Sequence, residues 1–178
     1  MHKLLLIALA LVAFGCKMPE PRKPVSVKSG SFIDASVERN KKLNAREHAT
    51  IEKILNQEGQ EYLASDSGFW YYYNTKIEVD SLETPDLGDL VNYNYNVKTL
   101  NGKLIYSAEE LKTQNYTMDK EELFTGLREG LKLMKTGETV TFYFPSQKAY
   151  GYYGDENRIG SNIPLICQVT VNSITQSE

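Results

Sequence analysis

Residues 91–98, Val91-Asn92-Tyr93-Asn94-Tyr95-Asn96-Val97-Lys98, alternate without a break between apolar or aromatic and polar side chains. Successive side chains of a strand point to opposite faces, so Val91, Tyr93, Tyr95 and Val97 share one face and the polar residues share the other. A strand with one dry and one wet face belongs to an antiparallel sheet, because parallel strands are covered on both sides. Asn101-Gly102 follows as a type I′ hairpin signal, which makes residues 103–106 the return strand. More strands are predicted at 69–73, after the Ser65-Asp66-Ser67-Gly68 turn, and at 139–144, which Pro145 ends. The last is predicted at 163–174. One helix is predicted over 121–135: Leu123, Leu127, Leu131 and Met134 form a stripe, acids lead, lysines close, and Gly137 stops it. Strands, one helix and strands again describe an α+β domain, a mostly antiparallel sheet wrapped around one helix.

The chain before this domain reads differently. Residues 4–14 are apolar throughout, too few for a membrane span of roughly 20 residues but suited to a signal-peptide core. They end in Ala13-Phe14-Gly15-Cys16, which resembles a bacterial lipobox and implies lipidation of Cys16. The organisation expected is therefore a lipoprotein signal peptide at 1–15 and a flexible tether at 16–33 bearing Pro19, Pro21 and Pro24. A helical segment at 34–64 and the main domain at 65–178 complete it. The lipid on Cys16 would anchor the chain to a membrane of the cell envelope, facing the periplasm. Within 34–64, Val37, Leu43, Ile51, Ile54 and Leu55 give a thin apolar stripe, with a break or weak point expected near 40–44. Such a stripe supports no core alone, so the segment packs on its own domain or pairs with a second copy as a homodimer. Cys167, the other cysteine, alternates with Leu165, Val169 and Val171 and reads as a buried apolar residue.

Several chemistries are excluded. A net charge of −3, a pI near 5.5 and no long basic run give nucleic acid no footing. His2 leaves with the signal peptide, and His48, alone on a polar helix, builds no metal site and reads as a solvated surface residue. Phosphate-loop, dinucleotide and nucleophile-elbow patterns are missing, and the pairs Glu121/Glu122 and Asp155/Glu156 read as solvated charge. An enzyme built from this chain works without metal, nucleophile or organic cofactor.

The run Gly126-Leu127-Arg128-Glu129-Gly130-Leu131-Lys132-Leu133-Met134-Lys135-Thr136-Gly137-Glu138, leading into Phe142-Tyr143-Phe144-Pro145 and Ala149-Tyr150-Gly151, closely resembles the signature of FKBP-type peptidyl-prolyl isomerases. With Gly88, Tyr95 and Gly102-Lys103 in register, the resemblance covers residues 88–174. It implies an FKBP-like fold, isomerase activity on X–Pro bonds without a cofactor, and proline-containing exported polypeptides as partners. It also implies a pocket of Tyr95, Ile105, Leu123, Phe124, Leu127, Tyr150, Ile159 and Cys167. Tyr150 and Tyr95 would be the catalytic pair, with Tyr150 donating its hydroxyl proton to a substrate carbonyl, Leu127 as floor, and the backbone N–H near Phe124 holding the peptide. The sequence departs from the family at Ile105-Tyr106, where an aromatic residue and an aspartate are usual, at Leu127 and Cys167, both often aromatic, and at Gly160, often proline. The missing aspartate removes a polar anchor and the missing aromatics enlarge the pocket, which keeps a non-catalytic chaperone or scaffold open as the alternative. Anchor, charged helix and domain together resemble the gliding-motility-associated FKBP lipoproteins of Bacteroidota.

Overall fold

The computed structural model describes residues 29–79 and 83–177. The expected signal peptide, Cys16 and most of the expected tether lie outside the described residues. The chain divides into Met1–Ala35, of which only the first turns of a helix are described, and Ser36–Glu178, to which the rest of this account refers.

Helix α1 (Ser29–Glu58) is followed by strands β1 (Leu63–Ala64), β2 (Trp70–Thr75), β3 (Leu90–Thr99) and β4 (Leu104–Tyr106). Helix α2 (Ala108–Leu111), β5 (Gln114–Thr117), α3 (Thr125–Leu131), β6 (Thr139–Phe144), a 3₁₀ turn (Ser146–Lys148) and β7 (Leu165–Thr175) complete the order. The sheet runs β1-β2-β6-β7-β3-β4, with β5 also on β3, and all its pairings are antiparallel. The alternation that predicted β3 holds: Val91, Tyr93 and Val97 are buried on the face that meets α3 and Tyr95 is half-buried there, while the asparagines face outward. Cys167 sits in register between Val97 of β3 and Phe142 of β6, in the middle of the sheet, and is fully buried.

Two local expectations change. The turn after β3 is a three-residue loop, not a type I′ pair. Thr99 N–H donates to Lys103 O at 3.0 Å and Gly102 N–H to Thr99 O at 2.9 Å, and in the loop only Gly102 takes a positive φ, +82°. A residue in the left-handed region after a tight turn absorbs the strand twist as a bulge, and Asn101 serves instead as an acceptor for Lys103 N–H at 3.2 Å. The helix is also shorter, seven residues rather than 121–135. Phe124 is extended (φ −62°, ψ 141°), and Glu121 is held by β5, whose Tyr116 hydroxyl donates to its carbonyl at 3.2 Å. At the other end Leu133 and Met134 bond back only three residues, a tightening turn that Gly137 closes at φ +87°. Tertiary contacts override helix propensity at both ends. The helix lies so close to β6 that a Cβ on Gly126 would stand 2.5 Å from Phe144 Cδ1.

Helix α1 is unbroken through 40–44 and packs on the outer face of the sheet. Ile51 and Leu55, both fully buried, meet Trp70, Tyr143 and Ile166 there, with Ile54, Tyr62 and Tyr72 at the margin. The sheet is thus covered on both faces where β2, β6 and β7 meet, which explains why β6 carries aromatic side chains on either side. His48 is not a solvated residue: its ring stands edge-on to Trp70 at 4.8 Å, with Nε2 shielded and without a partner among the described residues. One turn of helix before Ile51, Glu47 is 7% exposed and accepts from Ser146 N–H at 2.7 Å and from Ser146 Oγ–H at 2.8 Å. Asn44 Nδ2 donates to Gln147 Oε1 at 2.8 Å alongside.

Candidate active site

The segment that Glu47 grips leads directly to Tyr150. Beyond Ser146–Lys148 the chain turns on bonds from Gly151 N–H to Ser146 O at 2.9 Å and from Asn162 N–H to Gly151 O at 2.8 Å. Across from this turn, Phe124 caps α3 with its ring 5.0 Å from that of Tyr150 and edge-on to Phe144 at 5.5 Å. Leu123, Phe124 and Tyr150 line a cleft of about 580 Å³ whose rim carries Glu121, Glu122 and Arg128.

Tyr73, Tyr106, Tyr116 and Tyr143 each donate a hydroxyl proton to a protein acceptor, whereas no such bond involves Tyr150 among the described residues. Burial first, and then the neighbouring Tyr95, push the Tyr150 pKa well above the usual phenol value, so the hydroxyl keeps its proton and is free to donate it.

The structure gathers all eight sequence-predicted pocket residues in or against one apolar cluster but divides their positions. Leu123, Phe124 and Tyr150 reach the cleft. Leu127, Ile159 and Cys167 are buried at 0%, 3% and 0% exposure in the apolar cluster against which Leu123, Phe124 and Tyr150 pack. Burial pushes the Cys167 thiol pKa up. Tyr95 is half-buried with its ring 5.6 Å from Tyr93. Ile105 borders a second depression, of about 460 Å³, with Arg158, Gly160 and Ile163.

Tyr106, which stands where the resemblance leads one to expect an aspartate, is itself bonded to an aspartate from elsewhere in the chain. Tyr106 donates its hydroxyl proton to Asp155, whose carboxylate also accepts from Ile159 N–H at 2.7 Å and Asn157 N–H at 3.0 Å. Arg158 lies over the Tyr106 ring at 4.8 Å, donates to Ile105 O at 2.9 Å and pairs with Glu110. Asp155 is thus not solvated charge but the knot of the loop between Tyr150 and β7. Nothing local in the sequence joins Tyr106 to a residue 49 positions later; the signal available was the aspartate's absence at one site and an unexplained aspartate at another.

Burial tends to raise the Asp155 pKa, but the bonds from Tyr106 and from the Ile159 and Asn157 amides outweigh it and hold the carboxyl below its ordinary value of 3.8. A depressed folded-state pKa stabilises above the unfolded value and is lost as pH falls through the folded one. Asp155→Asn is therefore expected to lower the thermal midpoint at pH 7, with the gap to wild type closing below about pH 4. Thermal melts of both proteins from pH 3 to pH 7 check this; a gap independent of pH would assign the effect to shape alone.

A family profile described as FKBP-type peptidyl-prolyl cis-trans isomerase matches residues 82–172, just over half of the 178-residue chain. The chain is 29% identical over 94 residues to the probable FKBP-type peptidyl-prolyl cis-trans isomerase FkpA of Neisseria meningitidis, covering 53% of this chain and 34% of that protein. It is 28% identical over 113 residues to a probable FKBP-type peptidyl-prolyl cis-trans isomerase of Haemophilus influenzae, covering 64% of this chain and 45% of that one. The matched part thus spans less than half the length of either relative. Among solved structures, a peptidyl-prolyl cis-trans isomerase from Pseudomonas syringae superimposes with a TM-score of 0.61 at 20% identity, over 76% of this chain and 96% of that one. FkpA from Escherichia coli gives 0.60 at 23% identity, over 99% and 83%. Profile, relatives and fold agree with the cleft, and the chain belongs to the FKBP-type peptidyl-prolyl cis-trans isomerase family.

Proposed function

We propose that the chain catalyses cis–trans isomerisation of X–Pro bonds in exported polypeptides. The observation that carries this is the protonated Tyr150 hydroxyl, free of protein partners among the described residues, beside the Phe124 ring in an open cleft. Rotation about an X–Pro amide is slow because it breaks resonance, with a barrier of about 18–20 kcal/mol. The twisted amide is less polar and less hydrated than the planar one, so an apolar wall with one well-placed donor binds it in preference. Phe124 and Leu123 supply the wall and Tyr150 the donor; neither metal nor nucleophile is needed. A refolding assay on a proline-limited substrate, with the full-length chain, tests the reading. Catalytic amounts are expected to speed the slow phase, and Tyr150→Phe to lower the acceleration severalfold. A wild-type chain that leaves the slow phase unchanged would sink it.

The second reading, a chaperone or scaffold that holds partners without turnover, draws on Tyr152 and Tyr153, 71% and 84% exposed at the tip of the loop after Tyr150. Suppressed aggregation of an unfolding substrate with no change in its slow phase would favour it.

The location is read from the sequence. The apolar run at 4–14 and the Gly15-Cys16 junction support a lipid on Cys16 and a cell-envelope membrane anchor facing the periplasm. Clients in the gliding or secretion machinery rest on the resemblance to the gliding-motility-associated lipoproteins alone. Among the described residues no helix is long and apolar enough to cross a membrane. Labelling with a radioactive fatty acid, lost in Cys16→Ser, is the expected result; label retained in that variant would refute it. Pairing of two copies through 34–64 would use Val37 and Leu43, because Ile51 and Leu55 are already occupied by the sheet. Sedimentation at several concentrations decides between monomer and dimer.

A further inference from the structure

Between the exposed side of α1 and the loop that carries Tyr150 runs a groove of about 670 Å³, lined by Arg39, Lys42, Leu43 and Arg46 from the helix and Tyr152 from the loop. It holds three cations and no carboxylate. By contrast, Arg128 and Lys132 pair with Asp119 and Glu129, and Arg158 pairs with Glu110. Among the described residues neither Arg39 nor Arg46 has a carboxylate within 4.0 Å, and Lys42 has only the exposed helix neighbour Glu38 at 3.6 Å, a pair too solvated to neutralise it. The spacing Arg39, Lys42, Arg46 places all three on one strip of helix. Arginine and tyrosine are the residue types that anchor protein interfaces most often, the one by forked hydrogen bonds to carboxylates and the other by a rigid half-polar ring.

We propose that this groove is a second docking site for the client chain and that it selects acidic residues close to the isomerised proline. The inference rests on the isomerase reading of the cleft and adds a substrate class to it. Tyr150 lines the cleft and Tyr152 lines the groove, and two trans peptide steps separate their Cα atoms by at most about 7.6 Å. An extended client gains about 3.3–3.6 Å per residue, so a chain leaving the cleft reaches the groove within three to five residues. Leu43 and the Tyr152 ring then receive apolar parts of that stretch, while the three cations receive its carboxylates. An anionic lipid surface would also attract these cations. The groove favours a peptide because its charges line a concave channel beside the cleft together with Leu43 and Tyr152, rather than a flat face.

The test uses the full-length chain and three labelled decapeptides, each with one Ala-Pro bond. They carry three aspartates, three serines or three lysines at positions three to five residues from the proline, placed in turn on each side. Binding is read by fluorescence anisotropy at 20 mM and 300 mM salt, for wild type and for Arg39→Glu with Arg46→Glu. Exposed charge pairs each contribute at most a few-fold, so two or three together give the aspartate peptide about a three- to tenfold preference over the serine peptide at low salt. That preference is expected for one placement of the aspartates, and is expected to fade at high salt and to disappear in the double variant. Both substitutions lie on the exposed helix surface, and an unchanged thermal midpoint checks that the variant is folded. Equal binding of the three peptides, or a preference that survives the double variant, would overturn the proposal. So would vesicles of phosphatidylglycerol binding the wild type but not the variant while the peptides do not discriminate. Turnover in the refolding assay is measured separately, so an inactive chain that still prefers the aspartate peptide would count against the isomerase reading and not against the groove.

Discussion

Glu47→Ala is expected to destabilise the domain by about 2–5 kcal/mol, because it strands two buried donors at once, each worth roughly 1–3 kcal/mol. Ser146 N–H and Ser146 Oγ–H both end on this one side chain, and Glu47 and Ser146 are 7% and 1% exposed. Glu47→Gln keeps one acceptor oxygen but brings an amide N–H₂ against the second donor, so it is expected to recover only part of the loss. Denaturant unfolding of the three proteins measures this directly. Activity should fall too, and in a distinctive way: the Ser146–Lys148 turn sets the direction of the chain into Tyr150, so kcat is expected to fall more than KM rises at temperatures where the variant remains folded. A stability change below about 1 kcal/mol would mean that the helix grips the loop through packing alone.

The second large effect is on chemistry. Phe124→Ala is expected to reduce kcat/KM on a proline peptide at least about tenfold, the equivalent of roughly 1.4 kcal/mol of transition-state stabilisation. The ring forms the cleft wall facing Tyr150 at 5.0 Å and stands on Phe144 at 5.5 Å. Removing it both strips apolar contact from the twisted amide and lets Tyr150 swing. Because Phe124 is only half-buried, the fold should survive, and Phe124→Leu should restore most of the rate by refilling the volume. Turnover within twofold of wild type in Phe124→Ala would place the reaction outside this cleft.

What the sequence disclosed follows from range. The β3 alternation, the 139–144 strand and the position of Tyr150 between Ala149 and Gly151 are local patterns, and each maps onto the structure where it was read. The role of Asp155 is set by Tyr106, 49 positions away, while the helix bounds and the hairpin type turn on backbone geometry that residue type alone does not fix, and these are where expectation and structure part. The outer layer was legible in principle. Glu47, Ile51 and Leu55 stand at intervals of four on α1, and the apolar Trp70, Tyr143 and Ile166 occupy a sheet face that should have been wet. Reading His48 as solvated because its helix is polar on average missed that layer. The bond from Glu47 to Ser146 spans 99 positions, beyond any periodicity argument.

The place of β7 has a consequence for biosynthesis. It is the last strand in chain order, yet it lies between β6 and β3, and without it the sheet falls into β1-β2-β6 and β5-β3-β4 with no hydrogen bond joining them. Neither half presents α3 with a continuous inner face until β7 (Leu165–Thr175) joins them. The expected consequence is that the domain closes only once β7 is available to pair with both β6 and β3. The same placement means that clipping β7 would release two incomplete half-sheets with bare strand edges rather than a smaller working domain.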